Sequence, residues 1–224
     1  MKDYLNGIID KLDKHRLTSG FFQQDDVVGI SRQLLGKILV SGAQDVYTAG
    51  VIVETEAYAG ETDKASHAFG GRRTARTEIM YHEGGFAYVY LCYGVHALLN
   101  VVVNVPGVPH AILIRGAIPF MGKQTIESRI HRQLKFPADC FGPGKITKQH
   151  GITTRFNGED LAGGHRLWLA DVSVAPRPKD IIMGPRVGID YAEEDALLPY
   201  RFVWDHKAAV EEMKKARLFE PGFR

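Results

Sequence analysis

Cysteine is almost missing from this chain, and so is a surplus of charge of either sign. Cys92 and Cys140 are the only cysteines in 224 residues. They lie among apolar or turn-forming neighbours and match no zinc spacing, so neither a disulfide-stapled secreted fold nor a structural metal cage is implied, and no metal or cofactor is expected. Lys and Arg number 28 against 26 Asp and Glu, a formal net charge of +2. That balance does not by itself demonstrate a polyanionic partner, because clustering on one face matters more than the total. The opening Met1-Lys-Asp-Tyr-Leu-Asn-Gly7 lacks the apolar segment and small-residue cleavage site of a secretory signal, which points to a cytoplasmic protein. Long uncharged runs are scarce too. Phe86 to Val105 has no Lys, Arg, Asp or Glu and is long enough to span a membrane, but it contains Tyr88, Tyr90, Tyr93, Gly94, His96, Asn100 and Asn104. Its valines and tyrosines favour strands, so the run reads as two strands joined near Tyr93-Gly94-Val95-His96. No internal repeat, low-complexity linker or heptad divides the sequence. One mixed α/β domain over residues 1–224 is expected, with 1–20 as an N-terminal extension or helix, and a monomer is the default.

What is present is a core-forming composition, 45% hydrophobic, and one unusual strand. In Val51-Ile-Val-Glu-Thr-Glu-Ala-Tyr58, branched aliphatic residues lead into two glutamates and a tyrosine. Strict alternation puts Ile52, Glu54, Glu56 and Tyr58 on one face and Val51, Val53, Thr55 and Ala57 on the other. One face thus gathers two carboxylates and a phenol. A strand leaving the core with solvated acids at its end is the ordinary alternative.

Elsewhere Asp25-Asp26 is placed to cap a helix carrying Val27, Val28, Ile30, Leu34, Leu35 and Ile38. His110-Ala-Ile-Leu-Ile-Arg115 reads as a buried strand ending in a charge, and Gln124 to Lys135 as a polar-faced helix. Phe141-Gly-Pro-Gly-Lys145 is a turn opening a basic helix, Arg166 to Val174 an apolar strand, and Asp205 to Arg217 a terminal helix. Glu56 and Arg115, at the ends of two strands, would each be costly if buried alone. Together they form either a structural ion pair or the protected acid of a catalytic site. Gly70-Gly-Arg-Arg-Thr-Ala-Arg76 sets three arginines beside flexible glycines, suited to phosphates or to plain solvated surface. Tyr88 and Tyr90 share a strand face, whereas Tyr93 lies at the hairpin tip with no core to join; a protruding ring suits insertion between stacked bases.

Ile52-Val-Glu-Thr-Glu-Ala-Tyr58, His67 with Gly70-Gly-Arg72, and Tyr88-Val-Tyr90 followed by Tyr93-Gly94 come in an order and spacing that resembles the alkyladenine (3-methyladenine) DNA glycosylases. Asn100, Leu113-Ile-Arg115, Gly142-Pro-Gly-Lys145 and Arg186-Val-Gly188 continue the resemblance, which runs from the N-terminal helix to Phe202. It implies a single compact domain of α+β type, with a curved antiparallel sheet surrounded by helices and a protruding β-hairpin. It also implies excision of alkylated or deaminated purines from double-stranded DNA, leaving an abasic site, with no protein partner required.

By the same resemblance, Glu56 is the catalytic acid that activates water, held with Arg115 and the backbone carbonyl of Val187. Arg115 is then expected to keep Glu56 ionised against the effect of burial. Tyr58, His67 and Tyr90 correspond to walls of the pocket for the flipped purine, and Asn100 to a position that crowds the guanine amino group. Tyr93 matches the wedge that fills the stack, and Arg72, Thr74, Met80 and Lys145 match DNA-contacting positions. The chain departs from the vertebrate pattern where Val95 and His96 replace a methionine and a tyrosine, and where Thr154 with Arg155 stands in place of a lysine. Two other readings remain. Glu54 and Glu56, roughly 6.6 Å apart along a strand, fall in the range of an inverting sugar hydrolase pair. A module that flips and holds lesions without cutting is the second.

Overall fold

The computed structural model describes residues 2–43, 46–220 and 223. In chain order the elements are α1 (Lys2–Lys14), α2 (Ser19–Phe22), α3 (Val27–Gln33), β1 (Ile38–Ala43), β2 (Val46–Tyr58), β3 (Ala87–Cys92), β4 (His96–Val103) and β5 (His110–Met121). They are followed by α4 (Lys123–Ile130), α5 (Pro143–His150), β6 (Leu167–Ala170), β7 (Ile181–Gly184), β8 (Arg201–Trp204) and α6 (His206–Lys215), with short 3-10 turns between them. All strand pairs are antiparallel, in the order β3-β4-β5-β2-β1-β6, with β8 pairing β2 and β7. The sheet is open, and the whole is a single compact α+β domain.

The 13-residue β2 organises everything else. One edge lies along β5; the other is shared, with β1 covering Val46 to Val51 and β8 covering Glu54 to Glu56. Both faces are apolar. Ile52 packs in a cluster with Ile30, Leu39, Ile112 and Leu169, while Val51 and Val53 join Ile38, Phe120, Trp168 and Phe202. Simple alternation fails along this strand. Ala57, which alternation puts with Val51 and Val53, lies in the Ile52 cluster. The cause is a pair of register shifts against β5, between Ile52 and Glu54 and between Glu54 and Thr55. Each shift leaves an unmatched residue, Val53 on β2 and then Arg115 on β5, and so re-aims the side chains that follow.

The uncharged run from Phe86 to Val105 forms the β3–β4 hairpin, as its composition predicts, and no helix among the described residues is long and apolar enough to cross a membrane. The Asp26 side chain accepts the Gly29 N–H at 2.8 Å and so caps α3. That helix is shorter than its apolar spacing suggests, because Gly36 turns the chain at φ 90° and Ile38 opens β1 instead. A side chain at Gly36 would collide with the Val174 carbonyl, 2.1 Å from its Cβ. Likewise α4 stops at Ile130, where His131 adopts φ 58°, and β6 spans only four residues. The tail forms α6, capped by Asp205 on the Ala208 N–H at 2.9 Å.

Candidate active site

The end of β2 delivers Glu54 and Glu56 to one guanidinium. Arg115 Nε stands 3.1 Å from Glu54 Oε1 and 3.3 Å from Glu56 Oε1. Beyond that shared contact the two acids diverge. Arg201 on β8 donates from Nε to Glu54 Oε1 at 2.7 Å, so Glu54 bridges two arginines between strands. Glu56 instead accepts the Val187 N–H on Oε1 at 2.8 Å and the Tyr58 hydroxyl on Oε2 at 2.9 Å. The acids lie side by side on one arginine; they do not face each other across a cleft, which is not the arrangement of a sugar hydrolase pair.

Glu56 is completely buried. Burial pushes its pKa above the ordinary carboxylate value; Arg115, then the Val187 N–H, then Tyr58 pull it back without cancelling the rise. Arg115 thus opposes the effect of burial on Glu56 without removing it. The result is a carboxylate with a raised proton affinity, the property of a general base. Tyr58, beside that negative charge and out of water, is held well above its usual pKa and remains a hydrogen-bond donor.

In front of these groups opens a cavity of about 390 Å³, within the size range of small-molecule pockets. Tyr58, Arg115 and Val187 line it, and Glu56 sits directly behind them. Its other walls include His67, Tyr90, Asn100 and Met80. His67 and Tyr90 meet edge to face with ring centroids 4.7 Å apart, and Tyr88 lies 5.2 Å from Tyr90. His67 Nδ1 is 2.9 Å from the Tyr88 hydroxyl. Burial, then Arg76 and Arg72, lower the His67 pKa to about 4, so its ring is neutral near pH 7. Asn100 Nδ2 donates to the Tyr88 carbonyl at 3.1 Å, which fixes the amide in the wall.

The structure brings most of the predicted residues to this cavity or its rim. Tyr93 stands at the hairpin turn, 93% exposed and at φ 51°. Val95 beside it is exposed as well. Arg72 and Thr74 lie on the exposed loop after Gly71, whose turn is held by Thr74 and Thr77. Lys145 is exposed in the first turn of α5 and donates to the Ala138 carbonyl at 2.8 Å. Met80 differs from these in burial: only 2% exposed, it packs among Ala68, Tyr81 and Tyr88 and lines the cavity. The backbone of Val187 reaches Glu56 through its N–H, in addition to the carbonyl role expected of it.

Two features were not legible beforehand. Arg186 and Asp63 form a buried bidentate ion pair, with Nη2 donating to Oδ1 at 2.8 Å. Arg186 also donates to the Ala57 carbonyl at 2.8 Å and stacks 4.8 Å from the Tyr58 ring, which ties the Val187 loop to the end of β2. Tyr191, at the mouth of the cavity, donates to the Ala65 carbonyl at 3.2 Å. The motif Arg186-Val-Gly188 was visible, but its partner Asp63 lies 123 residues away.

Comparison with known proteins agrees with this geometry. The profile of the methylpurine-DNA glycosylase family matches residues 20–208. A protein of Chlamydia abortus described as "Putative 3-methyladenine DNA glycosylase" is 40% identical over 189 residues, covering 84% of this chain and 97% of that protein. Proteins given the same description in Desulfitobacterium hafniense and Methanocella arvoryzae are 41% identical over 194 residues and 42% over 181, covering 84% and 81% of this chain and 94% and 88% of theirs. The chain therefore belongs to the methylpurine-DNA glycosylase family and is a DNA glycosylase of DNA repair.

Proposed function

We propose that this protein, acting as a monomer, flips alkylated or deaminated purines such as 3-methyladenine and hypoxanthine out of duplex DNA. It then hydrolyses the N-glycosidic bond with a water activated by Glu56. The observation that carries this reading is the buried Glu56 carboxylate, with its raised pKa, whose hydrogen-bond partners Tyr58 and Val187 and ionic partner Arg115 all line a purine-sized cavity. A glycosidic bond inside a duplex is out of reach, so the nucleotide must leave the stack, and the projecting Tyr93 ring is suited to fill the gap. The flipped purine would lie against Tyr58, His67 and Tyr90, with Asn100 crowding an exocyclic amine. Departure of the base leaves positive character on the sugar, which the Glu56 carboxylate stabilises while it takes a proton from the attacking water; a cationic alkylated purine leaves as the neutral base, and hypoxanthine gains a proton from solvent as it leaves. Stacking on Tyr58 would be coupled to Glu56 through the 2.9 Å hydrogen bond that the Tyr58 hydroxyl donates to it. Arg72, Thr74 and Lys145 would hold the backbone beside the lesion.

The test is a duplex oligonucleotide with a single ethenoadenine or hypoxanthine, incubated with protein and then with alkali. Strand scission at the lesion is the expected result, unaffected by EDTA. Preferential binding without scission would leave only a lesion-holding module, and equal binding to lesion and undamaged duplex would remove the base-flipping reading altogether.

A further inference from the structure

Two guanidinium groups, Arg76 and Arg115, line the cavity and a third, Arg186, lies behind its Tyr58 wall, and their charges are not balanced alike. Arg115 lies between Glu54 and Glu56, and Arg186 is paired with Asp63. Arg76 forms no ion pair with a carboxylate among the described residues. On its own loop Arg73 is taken by Glu78 at 2.6 Å, and Arg72 reaches out beside it. Arg76 turns inward. Its Nη2 donates to His67 Nε2 at 3.2 Å, its Nε donates to the Tyr88 hydroxyl oxygen at 3.3 Å, and its Cζ lies 4.7 Å from the centroid of the Tyr90 ring.

These contacts define the state of the wall. A guanidinium has no acceptor, so His67 Nε2 must accept, and the proton of the neutral imidazole sits on Nδ1, pointing at the Tyr88 oxygen. His67 is therefore neutral with Arg76 as the adjacent cation. One face of Tyr90 is also already occupied by a positive charge. Its π density is drawn toward Arg76, and a cation stacking on the opposite face gains less from the ring. Purines alkylated at N3 or N7 carry a positive charge within the nucleotide, whereas hypoxanthine and ethenoadenine do not.

We propose that Arg76 is a specificity-determining residue that biases the pocket toward neutral purine lesions and against cationic ones. It does so by bringing an uncompensated positive charge to the wall and by occupying the Tyr90 π face. The inference rests on the glycosylase reading above and concerns which of its substrates the pocket favours.

Single-turnover excision rates on duplexes with one 7-methylguanine or one hypoxanthine provide the test, compared within each preparation so that the fraction folded cancels. Arg76→Met should raise the ratio of 7-methylguanine to hypoxanthine excision about fivefold or more. Arg76→Lys, which keeps the charge, should leave the ratio within about twofold of the native protein. A ratio unmoved by Arg76→Met, or moved equally by Arg76→Lys, would overturn the proposal while leaving the glycosylase reading intact. A native protein that excises neither lesion would sink that reading, and this inference with it.

Discussion

The pocket end of β2 and the tip of the β3–β4 hairpin are built on opposite terms. At the pocket, Glu56 has no exposed surface and every neighbour is tied down: Arg115 by Glu54, Val187 by the Arg186–Asp63 pair, Tyr58 by Glu56 itself. At the tip, Tyr93 is 93% exposed, Gly94 turns at φ 72°, and a Cβ there would meet nothing within 4 Å. The contrast is the one that the proposed function requires of each region. Chemistry on a bond requires polar groups already aimed and desolvated, so that no reorganisation is needed when charge develops. Insertion into a stack requires a ring with no prior partner to give up. A rigid two-stranded carrier holds that ring away from the body of the protein.

The sharpest way to break the comparison is at the pocket. Glu56→Gln should lower excision by roughly 10³-fold or more while lesion binding persists, measured by single-turnover cleavage beside a binding titration. Near-native excision would remove Glu56 from its assigned role. Arg186→Met comes next, because it strands Asp63 as a buried, unpaired carboxylate. A loss of about 3–5 kcal/mol in urea unfolding is expected, and a loss below 1 would show that Asp63 rehydrates. At the tip the consequences reverse. Tyr93→Ser should leave unfolding unchanged but weaken lesion-duplex binding by about tenfold, the scale of one base-stacking contact; a destabilised fold would mean that the ring has a structural partner.

The smallest effect concerns pH and separates stability from activity at the same residue. The folded pKa of Glu56 lies above its ordinary value, chiefly through burial. Its contribution to stability is therefore fully present below the unfolded value of about 4.5 and is lost as pH rises through the higher folded value. Glu56→Gln should accordingly be slightly more stable than the native protein at pH 7, with the difference shrinking toward pH 4. Activity runs the other way, falling as acid protonates the base. Urea midpoints at the two pH values check the first statement and a rate profile the second; a Gln variant less stable at pH 7 would show that the Arg115 attraction outweighs burial.

Much of this was legible in the residues themselves, for local reasons. The hairpin follows from an uncharged run of β-formers broken at Tyr93-Gly94, and the α3 start from the aspartate that caps it. The pocket walls were legible only through ordered motifs that resemble a family. What stayed hidden was non-local. The register shifts in β2 depend on how β5 lies beside it, so alternation mispredicted Ala57. Arg76 looks like its neighbours Arg72 and Arg73, because a run of arginines carries no sign of which one reaches the aromatic wall. Met80 matches a DNA-contacting position by resemblance, but its burial against Tyr88 shows only in the fold.

The amino-acid order by itself determined the secondary-structure punctuation, the acidic strand and the exposed aromatic tip, since each rests on interactions within a few residues. Only the tertiary structure shows how differently the two glutamates are partnered. Glu54 and Glu56 are two residues apart and chemically near-identical, and both reach Arg115. Arg201 from β8 claims one, while the Val187 N–H, arriving from 131 residues away, claims the other and sets it behind the cavity. Long-range packing, by choosing the partners, ties one acid between two arginines and sets the other behind the cavity wall, where the proposed chemistry needs it.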